Sequence, residues 1–141
     1  MNRYERILVW LLRISGVIML SALGAVVMPY DWMNVIHQQQ GLGELPHIPI
    51  VGYLTRSISA LYSLHGTLLV FIASDLRRYL PVVRFLALAG GVFGAMMLAV
   101  DFGVGMPLPW TIGEGPWIIV LSGVIFWLAG RVRFEVTVTP A

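Results

Sequence analysis

The amino-acid sequence predicts an all-α polytopic membrane protein: a four-transmembrane-helix bundle with a short interfacial helix in its first outer loop. Three observations predict it. Hydrophobic residues make up 58% of the 141 residues and charged residues only 11%, whereas a soluble domain carries roughly 25% charge. A chain this short has too little interior to hide that much apolar side chain from water. Four apolar segments approach the ~20 residues that a helix needs to cross a bilayer, and the arginines gather on one side of them.

The spans are expected at about 7–28, 51–74, 80–100 and 116–133, within a single membrane domain covering the chain. Between them lie a long loop Pro29–Ile50, a tight turn Asp75–Tyr79 and a second long loop Asp101–Gly115, with a tail ending Thr137–Ala141. No room remains for a soluble catalytic domain. All nine basic residues are Arg. Arg3 and Arg6 precede the first span, Arg77, Arg78 and Arg84 surround the tight turn, and Arg131 and Arg133 follow the fourth span. The positive-inside rule then gives N-in, C-in topology in a bacterial inner membrane, with both long loops periplasmic. Ala22-Leu23-Gly24 would pass as a signal-peptidase site, but the preceding apolar stretch is too long and contains Arg13, so it reads as a membrane anchor. Tyr and Trp fall where the two membrane interfaces are expected, among them Tyr4, Trp10, Tyr30, Trp32, Tyr79 and Trp127.

The absence of cysteine excludes disulfides, thiolate metal sites and dithiol redox chemistry. There is no basic nucleic-acid patch, Gly-rich phosphate loop or zincin motif, so nucleic acid is not an expected partner. No carboxylate pair or nucleophile–base set supports hydrolysis, and the chain reads as more consistent with a non-enzyme.

Within the first long loop, Asp31 is the expected N-cap of a short helix. Trp32, Val35 and Ile36 share one face, Asn34, His37 and Gln38 the other, a pattern suited to lying flat on a membrane surface. Residues 41–49 then read as extended, because Pro46 and Pro49 disfavour helix before them. His37 and His47 could join Asp31, Glu44 or Glu114 around a metal, but no tight ligand spacing supports it, and solvated loop histidines are expected instead.

The second span is polar for a membrane segment. At 100° per residue Arg56, Ser59, Ser63 and Thr67 share a face, and Tyr62 and His65 form a neighbouring stripe. These groups are expected to face protein, making this the buried helix of the bundle. His65 is expected to be hydrogen-bonding glue with Tyr62, Ser63, Ser15, Ser21 or Ser122; a haem or quinone contact and a proton relay are the alternatives. Arg56, some five residues below the outer interface, is expected to form an ion pair with Asp101 or Glu114 at the bundle mouth. The alternative is an anion-binding Arg in an outward-facing pocket with Tyr53, His47, Met106, Trp110 and Trp117. Arg13 reads as a snorkelling residue, or as a partner for Asp75.

In the third span Ala87, Gly91, Ala95 and Ala99 recur at four-residue steps, with Gly90 and Gly94 beside them, ridges that let helices approach closely. One ridge can serve another protomer. Pro116 suits the first turn of span four, and Glu114 is expected to stabilise that helix N-terminus.

Four short spans with both ends inside, the Met28-Pro29 pair opening the outer loop and the run Arg56-Ser-Ile-Ser-Ala-Leu-Tyr-Ser-Leu-His-Gly66 resemble the small DoxX-like four-helix membrane proteins. The resemblance covers the hydropathy profile and about a dozen residues of span two. It implies a membrane module, in some members linked to redox or quinone-associated complexes; without cysteine, thiol chemistry does not carry over. The expected function is therefore a non-catalytic binding or accessory module, with a membrane-protein partner or homo-oligomer in the lipid bilayer and no cofactor. The alternative is a quinone- or haem-associated redox subunit using Tyr62 and His65.

Overall fold

The computed structural model describes residues 2–132, so Arg133 and the tail from Thr137 to Ala141 lie outside the described residues. Those residues form seven helices and no strand: α1 (Arg3–Leu20), α2 (Leu23–Val26), α3 (Tyr30–Gln39), α4 (Pro49–Ile72), α5 (Leu76–Val104), α6 (Leu108–Gly113) and α7 (Gly115–Arg131). Three stretches are long and apolar enough to cross a membrane, Arg3–Val26, Leu76–Val104 and Leu108–Arg131. At 24 residues α4 has the length, but Arg56, His65 and its hydroxyls dilute its hydropathy.

Each helix starts and stops for a local reason. Asn2 caps α1 by accepting the Glu5 N–H at 2.8 Å. The expected continuous first span breaks at Ser21-Ala22, where Ser21 Oγ donates to the Ile18 carbonyl at 2.6 Å. The backbone there tightens to three-residue bonds, Ala22 N–H to Met19 and Gly24 N–H to Ser21, and α2 follows as one separate turn. Pro29 rather than Asp31 stands at the N-cap of α3, with Asp31 inside its first turn. Pro49 opens α4 at a position where its missing N–H has no partner to lose.

The expected turn Asp75–Tyr79 is mostly helix. The Asp75 carboxylate accepts the Arg78 N–H at 3.2 Å, so α5 begins at Leu76 and carries Pro81 inside it. Gly105 ends α5 in the left-handed conformation at φ 72°, its N–H bonding to the Asp101 carbonyl. The expected irregular loop Asp101–Gly115 thus gives up its first residues to α5, and Pro107-Leu-Pro109 starts the short α6.

Packing runs α4 against α1, α1 against α7, and α7 against α5, while α4 meets α5 only marginally. The core collects at the Arg-rich end, around Leu8, Leu12, Ile72, Val83, Leu128 and Ala129. There Glu5 pairs with Arg77 at 3.1 Å, the Tyr4 and Trp127 rings meet edge to face at 5.9 Å, and Arg84 donates to the Ala129 carbonyl at 3.0 Å. The N-terminus of α1, the α4–α5 turn and the C-terminal part of α7 therefore share one end. α4 is consequently an outer member of the row rather than its buried centre: Ser59, Ser63, Gly66, Leu69 and Ile72 are buried, whereas Ile58, Leu61, Leu64 and Thr67 are exposed.

Two glycine contacts set the helix spacing. A Cβ on Gly66 would stand 2.5 Å from the Gly16 carbonyl oxygen, and one on Gly94 would stand 2.9 Å from that of Gly115. Backbones in contact at these points bring α1 onto α4 and α5 onto α7.

Candidate functional site

The candidate residues lie at the end opposite the core, on two groups of elements: α2, α3 and the start of α4, and the end of α5 with the α6–α7 junction. Arg56 is half-buried there. Its Nε donates to the Val26 carbonyl at 3.0 Å, Nη2 to Met28 at 3.3 Å and Nη1 to Gly52 at 3.4 Å. The last carbonyls of a helix have no intrahelical partner, and a cation suits that negative end. The guanidinium therefore ties the end of α2 to α4. Among the described residues Arg56 forms no ion pair with Asp101 or Glu114, because three backbone acceptors already lie within the reach of its fork.

Asp101 sits in the last turn of α5, only 3% exposed, and its Oδ2 is buried with no hydrogen-bond partner. Its backbone carbonyl is satisfied twice, by Gly105 and Met106, so the deficit is confined to the carboxylate. Thr111, on α6 and 2% exposed, spends its hydroxyl on the Pro107 carbonyl at 3.4 Å. Glu114 accepts from Trp110 Nε1 at 2.7 Å. It makes no side-chain cap on α7, since the ring four residues back supplies a better-placed donor.

The remaining expected residues are scattered. Tyr53 is 66% exposed on the first turns of α4. His47 is exposed and stands edge-on to Tyr30, ring centroids 4.2 Å apart. Tyr30 donates to the Leu45 carbonyl, Asn34 Oδ1 accepts the Leu45 N–H at 2.8 Å, and His37 Nδ1 is 2.9 Å from the Gly43 carbonyl. These bonds fold residues 41–47 back onto α3. Among the described residues no group of His, Asp and Glu could hold a metal ion. The apolar residues Trp32, Val35 and Ile36 stay exposed while Met33 turns inward, leaving α3 with an apolar face directed away from the protein.

Four hydroxyls of α4 turn to their own helix rather than to a neighbour. Thr55, Ser59, Ser63 and Thr67 each donate to the carbonyl four residues earlier, at 2.8–2.9 Å, because a short hydroxyl on a helix reaches its own backbone first. Tyr62 and His65 are half-buried, and no hydrogen bond joins the His65 ring to Tyr62, Ser63, Ser15, Ser21 or Ser122 among the described residues. On α5, Ala87 and Gly94 are buried and Gly90 and Gly91 lie partly buried against Ser122 of α7, whereas Ala95 and Ala99 are exposed. Both small-residue stripes thus contribute to the contact with α7, and the Ala95–Ala99 part of one of them is left exposed.

The glycines Gly16, Gly66 and Gly115 and the buried Glu5 escaped the sequence reading. Their signals were present, as single glycines inside apolar helical stretches and an acid among N-terminal arginines, but only the partner helix gives them meaning. No family model matches the chain, and no curated protein or solved structure is significantly similar to it.

Proposed function

We propose that the chain is a small integral protein of a bacterial inner membrane, crossing it four times through α1–α2, α4, α5 and α6–α7, with both termini cytoplasmic. What supports α4 as the fourth crossing is its course beside α1: it runs from the Arg56 clamp on α2 to the turn where Arg77 meets Glu5. Its 24 residues span about 36 Å at ~1.5 Å each, and four of its hydroxyls, on Thr55, Ser59, Ser63 and Thr67, are bonded to its own backbone. The Arg residues of the opposite end favour the cytoplasmic side, and the exposed apolar face of α3 suits the periplasmic surface of the bilayer.

In that setting the protein acts as a non-catalytic binding or accessory module, with a membrane-protein partner or a second copy as its counterpart. Asp101 carries this reading. A carboxylate oxygen buried without a donor is costly, and a partner that shifts the segment covering Asp101 and supplies a donor removes the cost. The test is mild extraction of the wild type and Asp101→Asn from native membranes, followed by native mass spectrometry. The wild type is expected to carry a stoichiometric companion that the Asn variant, equally folded, has lost. Equal retention by both removes Asp101 from the interface and with it this reading.

A second reading, a quinone- or haem-associated redox subunit, is favoured by Tyr62 and His65. They lie three residues apart on α4, half-buried, and neither side chain forms a hydrogen bond among the described residues. A quinone carbonyl would accept from either; a haem would need a second axial ligand from another chain. A Soret band or extractable quinone in the same preparation selects this reading.

A further inference from the structure

We propose that the Arg-rich end of α1 holds the phosphate of an anionic membrane phospholipid between Arg6 and Arg13, with an acyl chain laid along Trp10 and Ile14. The inference rests on the membrane placement above and is independent of the role of Asp101.

Two hollows share a wall there. One, of about 410 Å³, lies between α1 and the α4–α5 turn, lined by Arg6, Arg13 and Arg77 together with Glu5, Asp75 and Trp10. The other, of about 610 Å³, runs along α1 and is lined by Arg3, Ile7, Leu11 and Ile14, with Arg6 and Trp10 common to both. A charged hollow beside an open strip of α1 that carries Ile7, Trp10, Leu11 and Ile14 matches an amphiphile, with the headgroup on one side of Arg6 and Trp10 and the chain on the other.

The charge balance favours an anion. The two acids in the first hollow are already engaged: Asp75 caps α5 through the Arg78 N–H, and Glu5 pairs with Arg77. The Arg6 and Arg13 guanidiniums form no hydrogen bond or ion pair among the described residues. They stand seven residues apart, two helical turns on one face and about 10 Å along the axis. Helical side chains lean toward the N-terminus, so Arg13 extends from its deeper position toward Arg6 and the membrane surface. A fork of five donors on each side suits a phosphodiester, and basic pockets between helices on the cytoplasmic side are where anionic headgroups bind.

The test uses the full chain in detergent, titrated with phosphatidylglycerol, phosphatidylcholine or inorganic phosphate and followed by native mass spectrometry. Phosphatidylglycerol is expected to bind one per chain, and phosphatidylcholine and millimolar inorganic phosphate neither to bind comparably nor to displace it. Arg13→Gln, which leaves Arg3 and Arg6 to orient α1, is expected to weaken phosphatidylglycerol roughly fivefold, the loss of one arginine at the headgroup. Arg78→Gln, at the same end but over the Tyr79 ring and outside both hollows, is expected to leave it unchanged. Equal weakening by both variants would reduce the effect to bulk charge and overturn the site. Displacement by inorganic phosphate, or equal binding of phosphatidylcholine, overturns it without recourse to any variant. A topology reporter placing the chain's ends outside refutes the membrane placement instead, so the two failures are distinguishable.

Discussion

At the scale of the residue, the polar groups of α4 separate by what satisfies them. Arg56 is bound by three carbonyls, and hydrogen bonds to a charged group contribute about 1.5–3 kcal/mol. Arg56→Gln is therefore expected to destabilise the detergent-solubilised protein by about 2 kcal/mol. Asp101→Asn is expected to leave thermal stability unchanged or raise it, because it removes a buried charge with no donor. The double variant should be additive within about 0.5 kcal/mol; a larger coupling in thermal unfolding would restore the ion pair that the sequence suggested. His65→Leu loses no hydrogen bond and is expected to change stability by no more than about 0.5 kcal/mol. That these residues are unusual was legible from their depth in an apolar segment. Their partners were not, since Val26 and Met28 offer backbone carbonyls that no side-chain pattern encodes.

At the scale of the element, the helices meet through glycine. Gly66→Ala is expected to destabilise by about 1–3 kcal/mol, the usual cost of overpacking, because the new methyl would meet the backbone of Gly16 and Leu20 at 2.5–2.6 Å. Gly24→Ala, with nothing within 4 Å, is expected to be neutral or slightly stabilising. Chemical denaturation in mild detergent compares the two; equal effects would mean that α1 and α4 do not touch at Gly66. The α5 ridge was readable in part. In its four-residue rhythm Ala87 is buried and Gly91 partly buried, whereas Ala95 and Ala99 are exposed; Gly94, on the neighbouring stripe, is buried where α5 meets α7. Helix limits moved for local reasons, with Asp75 recruiting four residues of the expected turn and Ser21 interrupting the expected first span.

At the scale of the whole molecule, the number of crossings fixes the side of the C-terminus. Four crossings would return the chain to the side on which it starts, whereas three would leave its end on the other. A reporter active only in the cytoplasm is expected to work when fused after Ala141 and to be silent at Gly43. Activity at Gly43, or silence at Ala141, would show that α4 or another helix does not cross. The shared end of α1 and α7, held by the Tyr4–Trp127 contact, is the arrangement that an even number of crossings requires.

By itself the sequence specified a helical, membrane-type chain, because apolar content, helical spacing and the one-sided placement of arginine are local or additive properties that need no partner. It also marked α4 as the polar helix. Which groups meet depended on the packed structure: Arg56 found carbonyls of another segment, four α4 hydroxyls found their own backbone, and the Asp101 carboxylate found no donor for its Oδ2 among the described residues. Pairing is a property of distance between elements, and that distance is set by where Gly16 meets Gly66 and Gly94 meets Gly115, contacts that exist only once two helices have come together.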